Sequence, residues 1–273
     1  MTPTHNYLIL GHNGFLGSLI ARKLRSNGSE VRIIEERITP TNIQDFFLSQ
    51  IDENTRVINC IASGVTPNTG GDLDDNFANS SLLKLILQFF IESPGYDLIH
   101  FGSNYETVNR DSTVLSRSSY INSKQQGSLL CRTFLTQDSR IQLIYLPTVL
   151  ASTQPKGRFL IDFADAYLHN KSFHILYPRM LIELVSFDEL WHFLEFLFER
   201  STATQIHFAP IEVSVSVYAF AELLNDMLRE LRCQPVKLTL ESSFDMDERL
   251  ELSKIPFNFR FSLLNYLKEM VEI

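Results

Sequence analysis

The chain has 273 residues, of which 44% are hydrophobic and 21% are charged, so a disordered or collagen-like chain is excluded. Its 24 basic and 32 acidic residues leave a net charge of −8, which argues against binding along a nucleic-acid backbone. Three cysteines without a CxxC pair, no apolar run near the roughly 20 residues of a membrane helix, and no signal-peptide pattern predict a cytoplasmic protein without a membrane partner.

The first half of the chain alternates short apolar strands with amphipathic helices. Strands are predicted over Tyr7–Leu10, Val31–Ile34, Arg56–Ala62, Asp97–Phe101 and Ile141–Leu146. Helices are predicted from Leu16 to Leu24 and over Ile43–Ile51, Leu82–Ile91 and Tyr120–Leu135, with a loop over Ser63–Asp75. This alternation predicts an α/β fold, a doubly wound parallel sheet with helices on both faces.

Beyond Pro147 the pattern becomes irregular. Helices are predicted over Phe159–Leu168, Asp188–Arg200, Val217–Leu231 and Leu263–Val271, and extended segments over Phe173–Tyr177, Gln205–Ala209 and Val236–Leu240. We therefore expect a main domain over residues 1–150 with later return segments near 183–210. Residues 151–182 and 211–273 are expected to form a smaller, interleaved C-terminal lobe.

A glycine-rich loop from Gly11 to Gly17, with the sequence GHNGFLG, follows the first predicted strand and opens the first predicted helix. Glycines in such a turn let the backbone approach a pyrophosphate, and N–H groups at the helix start hold the anion. The spacing is GxxGxxG, and no Lys-Ser/Thr pair follows, which excludes an ATPase-type phosphate loop. The loop predicts that residues 1–150 bind a dinucleotide; a glycine turn without a ligand is the alternative.

Glu35 ends the second predicted strand, where an acid can bind the adenosine ribose hydroxyls. A carboxylate there repels a 2′-phosphate, which favours NAD over NADP, although Arg37 lies close enough to complicate the choice. Two solvated acids, Glu35 and Glu36, are the alternative interpretation.

Three further residues indicate proton chemistry at a carbonyl or hydroxyl. Tyr120 and Lys124 share a face of a predicted helix, and the lysine charge lowers the pKa of the tyrosine from its ordinary value of about 10. Ser103 follows the strand Asp97–Phe101, at the edge where ligands bind in open α/β sheets, and can hydrogen-bond the reacting oxygen. A YxxxK spacing also arises by chance, so the prediction depends on where the pair lies, on the helix that follows the strand Asp97–Phe101.

Together, the glycine loop, Ser103 and the Tyr120–Lys124 pair resemble the extended branch of the short-chain dehydrogenase/reductase superfamily, which includes nucleotide-sugar epimerases, dehydratases and 4-ketoreductases. The resemblance implies a Rossmann-type fold, an NAD or NADP cofactor, a nucleotide-sugar substrate and a homodimer paired through Tyr120–Leu135. It implies that Tyr120 is the acid/base, Lys124 holds the nicotinamide ribose and Ser103 polarises the substrate oxygen. The implied cofactor-binding residues are Gly11, Asn13, Gly14, Phe15, Leu16, Gly17, Glu35, Ala62, Tyr120, Lys124 and Pro147.

The chain also departs from this family's pattern on the substrate side. Asn104-Tyr105 stands where dehydratases carry Asp-Glu, and the stretch HFGSNY is more similar to the Ser-Thr-Asp-Tyr of 4-ketoreductases in deoxysugar biosynthesis. Ile182 replaces an arginine often used near a substrate pyrophosphate. The candidate substrate-binding residues are Ser103, Asn104, Lys156, Arg158 and Arg179, the last three being exposed surface cations in the alternative interpretation.

These features predict an NAD(P)-dependent oxidoreductase that reduces the 4-keto group of a nucleotide-linked deoxysugar, with Tyr120 as proton donor. A nucleotide-sugar 4-epimerase that uses the same residues and bound NAD is the first alternative. A non-catalytic NAD-binding regulatory protein is the second alternative, suggested by the departures from the family's substrate-side motifs. The seven histidines show no HxxxH or HExxH spacing, so no metal site is expected.

Overall fold

A computed structural model describes residues 6–34, 38–39, 41–62, 77–93, 96–106, 119–135, 140–199, 205–240 and 255–271. The chain divides into two units. The first consists of Met1–Leu146 with Leu194–Ala209, and the second of Pro147–Phe193 with Pro210–Ile273. No helix in the described ranges is both long and apolar enough to cross a membrane.

The first unit contains one parallel sheet. Its strands are β1 (Asn6–Leu10), β2 (Val31–Ile33), β3 (Thr55–Asn59), β4 (Asp97–Ser103), β5 (Ile141–Leu146) and β9 (Gln205–Phe208). They are ordered β2-β1-β3-β4-β5-β9, and every described pair is parallel. The helices are α1 (Phe15–Ser26), α2 (Ile43–Gln50), α3 (Leu82–Glu92) and α4 (Ser119–Leu135), with a π-type turn at Phe77–Ser81 and a 3-10 turn at Asn104–Glu106. The Rossmann-type α/β fold expected from the sequence is confirmed.

Both faces of this sheet are covered by helices, which explains the continuous apolar runs in its strands. On one face, Leu8 and Leu10 of β1 pack with Phe47 of α2 and Phe90 of α3. On the other face, the ring of Tyr7 lies 5.6 Å from that of Phe198. Fully burying each such side chain contributes roughly 1.5–3 kcal/mol relative to leaving it exposed. Phe47, Phe90 and Phe198 are therefore part of the core.

The second unit has two small sheets. Its strands are β6 (Thr148–Leu150), β7 (Phe173–Ile175), β8 (Leu181–Ser186), β10 (Val213–Ser216) and β11 (Leu238–Leu240). β8 lies between β6 and β10, and β7 pairs with β11. Its helices are α5 (Phe159–Leu168), the first half of α6 (Phe187–Glu199), α7 (Val217–Glu230) and α8 (Phe257–Val271). Phe163, Phe220 and Phe259 are fully buried in its core.

The unit boundaries differ from the expected domain boundaries. Residues 147–150 and 183–193 belong to the second unit, whereas 194–209 return to the first. The physical reason is strand pairing: β6 pairs with β8, and β8 with β10, instead of extending the large sheet. The sequence analysis does not predict strands β6, β8 and β10. β6 and β10 are too short to show a clear alternation of apolar and polar residues, and β8 runs directly into a helix.

Candidate active site

The large sheet reverses its strand order at β1. Strand β2 lies on one side of β1 and β3 on the other, so the loops that leave β1 and β3 diverge at their carboxyl ends. In open α/β sheets this switch point forms the crevice where ligands bind. Gly11 follows β1 directly, and Cys60 follows β3. The predicted cofactor loop therefore begins at this switch point.

Glycine is required at two positions of this loop. Gly11 has a φ angle of +76°, and a Cβ atom there would lie 2.9 Å from the backbone carbonyl carbon of Cys60. A Cβ atom on Gly17 would overlap the carbonyl oxygen of Gly11, because α1 packs directly on the turn. Because Gly11 and Gly17 have no side chains, the loop can fold tightly against the end of β3, and no side chain at these positions covers its backbone.

The start of α1 is suited to an anion. Gly14 is the N-cap and provides no side-chain cap, and the first turn of α1 carries no acidic residue. The first N–H groups of a helix lack intrahelical partners and form the positive end of its dipole. Asn13, Phe15 and Leu16 complete this turn in sequence. The loop therefore fits the pyrophosphate of a dinucleotide.

The end of β4 brings the half-buried Ser103 and the buried Lys124 into one cluster. The 3-10 turn after β4 folds the chain back, so that the carboxylate of Glu106 accepts a hydrogen bond from the Ser103 N–H at 2.7 Å. Lys124 Nζ of α4 lies 3.7 Å from Glu106 Oε1 and donates to the carbonyl oxygen of Phe101 at 3.2 Å. The side chains of Lys124 and Glu106 are only 7% and 2% exposed. Glu106 therefore links two of the predicted site residues.

Tyr120 belongs to α4 and precedes Lys124 by four residues, one helical turn. The side chain of Tyr120 lies outside the described residues, as does the whole of Glu35. The roles of both residues stay predictions.

The remaining predicted residues fall into two groups. Ala62 lies three residues beyond β3, Asn104 is buried in the 3-10 turn, and Pro147 follows β5. Lys156 and Arg179 are exposed in the second unit, where Arg158 is the N-cap of α5. The structure thus joins Ser103 to Lys124, while the candidate substrate cations belong to the other unit.

Burial controls the ionisation of groups around Lys124. Burial raises the pKa of Glu106, an effect opposed by the Lys124 charge and the Ser103 N–H. Burial also raises the pKa of the Cys131 thiol to about 12. His100 on β4 has a pKa well below its ordinary value because it is buried, with the Lys124 charge as a second cause. His100 is therefore neutral at ordinary pH, and its Nδ1 lies 3.1 Å from Asn59 Nδ2.

Asn79 and Glu106 contribute to this site, although the sequence pattern did not single them out. Asn79, in the π-type turn, donates to the hydroxyl of Ser123 at 3.0 Å, and a Cβ atom on Gly127 would overlap the Asn79 carbonyl oxygen. These contacts hold α4, and hence Lys124, close to the turn. The Glu106 contact has a sequence signal, since Ser103-x-x-Glu106 has the spacing of a capping box. Asn79 has no comparable signal.

Known proteins resemble this chain in sequence pattern and in fold. The model of the NAD dependent epimerase/dehydratase family matches residues 7–180. No curated protein matches the chain by sequence. Among solved structures, MoeE5 in complex with UDP-glucuronic acid and NAD has a TM-score of 0.74 at 17% identity, covering 97% of this chain and 99% of that one.

Two further solved structures have the same fold. RMD from Pseudomonas aeruginosa complexed with NADPH has a TM-score of 0.75 at 14% identity, covering 98% of this chain and 99% of that one. UDP-glucuronic acid 4-epimerase from Bacillus cereus, in complex with UDP-glucuronic acid and NAD, has a TM-score of 0.74 at 15% identity, with coverage of 97% and 99%. At such identities, these likenesses establish the fold alone.

Proposed function

Because the chain belongs to the NAD-dependent epimerase/dehydratase family, we propose that it is an NAD(P)-dependent oxidoreductase that reduces the 4-keto group of a nucleotide-linked deoxysugar. The observation that carries the proposal is the cluster at the end of β4, around the buried ammonium of Lys124. It joins Ser103 to Lys124, and α4 carries Tyr120 one turn before that lysine. The hydroxyl of Ser103, the phenol of Tyr120 and the ammonium of Lys124 are groups that suit proton transfer to a carbonyl oxygen.

The cofactor is proposed to bind along the carboxyl ends of β1 and β3. The loop from Gly11 to Gly17 holds its pyrophosphate on the bare start of α1. Glu35 binds the adenosine ribose and favours NAD, and Ala62 and Pro147 add contacts. When bound, the nicotinamide supplies a hydride.

The protein's own residues then handle the proton and the charge. The Ser103 hydroxyl donates a hydrogen bond to the substrate carbonyl oxygen and orients it. The Tyr120 phenol gives its proton to that oxygen, which becomes the product hydroxyl. The ammonium of Lys124 stabilises the phenolate left behind, because an opposite charge nearby favours the ionised form.

The substrate is proposed to be a nucleotide sugar, with Asn104 beside Ser103 contributing to its binding. Lys156 and Arg158, which flank the start of α5, and Arg179 are the candidate cations for its diphosphate. Local positive charge can attract such an anion even though the net charge of the chain is −8.

A nucleotide-sugar 4-epimerase is the second candidate function, favoured by the shared fold of the Bacillus cereus 4-epimerase that binds NAD. The same residues serve both reactions. In an epimerase, Tyr120 first takes a proton from the 4-hydroxyl and later returns it, so oxidised cofactor is regenerated within one catalytic cycle.

The nucleotide released from purified, denatured protein distinguishes these functions. An empty protein that binds added NADH or NADPH, and consumes it only with a 4-keto nucleotide sugar, supports the reductase and excludes a purely regulatory role. Near-stoichiometric bound NAD supports the epimerase instead. If the protein binds none of these cofactors, the proposed role of the glycine loop is wrong.

A further inference from the structure

Glu106 is a buried carboxylate beside the proposed proton-transfer residues. Burying an ionised carboxylate is costly unless it is paired and hydrogen-bonded. Among the described residues, Glu106 has three partners: the Ser103 N–H at 2.7 Å, Lys124 Nζ at 3.7 Å and the hydroxyl of Ser128. Its side chain is 2% exposed, so solvent does little to screen these interactions.

A capping role accounts for only one of these contacts. In a capping box, the glutamate accepts the N–H of the residue three positions earlier, as Glu106 does with Ser103. The contact with Lys124 is not part of that motif, because Lys124 lies 18 residues further along the chain, on α4. The same ammonium also donates to the Phe101 carbonyl oxygen, so it is held between the strand and the carboxylate.

We propose that Glu106 is a positioning residue, a buried counter-charge that acts through Lys124 and sets the pH range over which Tyr120 exchanges its proton. The inference rests on the proposed function, in which Tyr120 and Lys124 form the acid/base pair. Its chemical basis is that two charges have opposite effects on Tyr120. The positive charge of Lys124 favours the Tyr120 phenolate, and the negative charge of Glu106 partly cancels that effect.

The direction and size of the effect follow from this opposition. Tyr120 lies about 6 Å from Lys124 along the helix axis. Replacing the carboxylate with a neutral group of similar shape leaves the lysine charge without that offset, so Tyr120 should ionise at a lower pH. For a unit charge acting over about 6 Å at an effective dielectric constant of about 20, the decrease is about two pH units.

Within the described residues, other titratable groups lie near the pair on β4, α4 and β5. His100 on β4 is neutral because burial lowers its pKa, and Cys131 on α4 stays a thiol because burial raises its pKa to about 12. Beyond Ser128, whose hydroxyl bonds to that of Tyr145 on β5, Arg132 Nε donates to the same Tyr145 oxygen at 3.1 Å. Arg132 is present in every variant, so it does not alter the comparison.

The test is an alkaline titration of tyrosinate absorbance in the protein without substrate or cofactor. The chain has nine tyrosines, so each variant is paired with the same variant carrying Tyr120→Phe, and the difference isolates Tyr120. Glu106→Gln is expected to lower the Tyr120 midpoint by about two pH units. Glu106→Asp keeps the negative charge, so its Tyr120 midpoint is expected to stay close to that of the wild type.

Glu212→Gln is the matched control, because Glu212 also accepts a backbone N–H from a serine, Ser186, at 2.6 Å, but lies in the second unit. It is expected to leave the Tyr120 midpoint unchanged. Should Glu106→Gln not fold, Glu106→Met removes the same charge at similar volume, with the same expected decrease. An unchanged midpoint in a folded neutral variant overturns the proposal and leaves Glu106 a structural cap.

This experiment also separates the two proposals. The titration needs no turnover, so a chain that never reduces a nucleotide sugar can still show the coupling of Glu106 to Tyr120. Conversely, turnover that depends on Tyr120, combined with an unmoved midpoint in Glu106→Gln, refutes the counter-charge role alone.

Discussion

Substituting Gly11 tests whether the turn after β1 lies against the end of β3. Gly11→Ala places a side chain on a backbone with φ of +76°, where a Cβ atom would lie 2.9 Å from both the carbonyl carbon of Cys60 and the nitrogen of Ile61. The left-handed conformation costs roughly 1–2 kcal/mol for a residue other than glycine. Overpacking against backbone, which cannot rotate away, adds typically 1–3 kcal/mol.

Gly28→Ala is the matched control. Gly28 has a φ angle of +82°, but a Cβ atom there would meet nothing within 4 Å. Gly28→Ala should therefore lower the free energy of unfolding by roughly 1–2 kcal/mol, the conformational contribution alone. Gly11→Ala should lower it by about 2–5 kcal/mol. The difference between the variants isolates the contact with Cys60 and Ile61.

Urea unfolding followed by circular dichroism measures both variants, and fluorescence titration with NADH measures cofactor binding. Gly11→Ala is expected to weaken NADH binding at least tenfold, since the added methyl group displaces the proposed pyrophosphate loop, while Gly28→Ala should bind normally. Equal losses of stability in the two variants, with equal NADH affinity, would refute the packing described for this turn.

Three further outcomes are expected. Tyr120→Phe should lower kcat by about 100-fold or more while NADH still binds, because only the proton donor is lost; near-normal turnover in steady-state assays would remove Tyr120 from that role. Glu35→Ser should raise the affinity for NADPH relative to NADH, measured by titration, and an unaltered ratio contradicts its ribose contact. Burial raises the pKa of Glu106, so the folded state binds its proton more tightly than the unfolded chain does. The free energy of unfolding of wild type, measured against Glu106→Gln in urea, should therefore rise as pH falls from neutral towards about 4, and a flat difference contradicts this.

The fold of the glycine loop was predictable because its parts are neighbours in sequence. The apolar strand β1, the glycine turn and helix α1 occupy one continuous stretch from Asn6 to Ser26. Backbone freedom at Gly11 and the start of an amphipathic helix are properties of adjacent residues, so residue types and spacing predict them. The same local periodicity predicted the alternating strands and helices, and through them the parallel sheet.

The second unit was less predictable. Its short strands β6, β8 and β10 are stabilised by pairing with one another, and a strand of three to six residues carries little pattern of its own. Which sheet a strand joins depends on partners distant in sequence. The sequence therefore predicted a smaller C-terminal lobe and a return of the chain to the main domain near residues 183–210, whereas residues 183–193 lie in the second unit.

The candidate site shows the same division. Residue types and positions predicted Ser103, Tyr120 and Lys124, and the sequence also contains the capping-box spacing of Ser103 and Glu106. Only tertiary packing could show that the Glu106 carboxylate meets Lys124, because the contact depends on how α4 lies against β4. The sequence by itself determined the elements and the chemistry available on them, since these are local properties of the chain. The tertiary structure decided which charges share a buried space, since that depends on packing between distant segments.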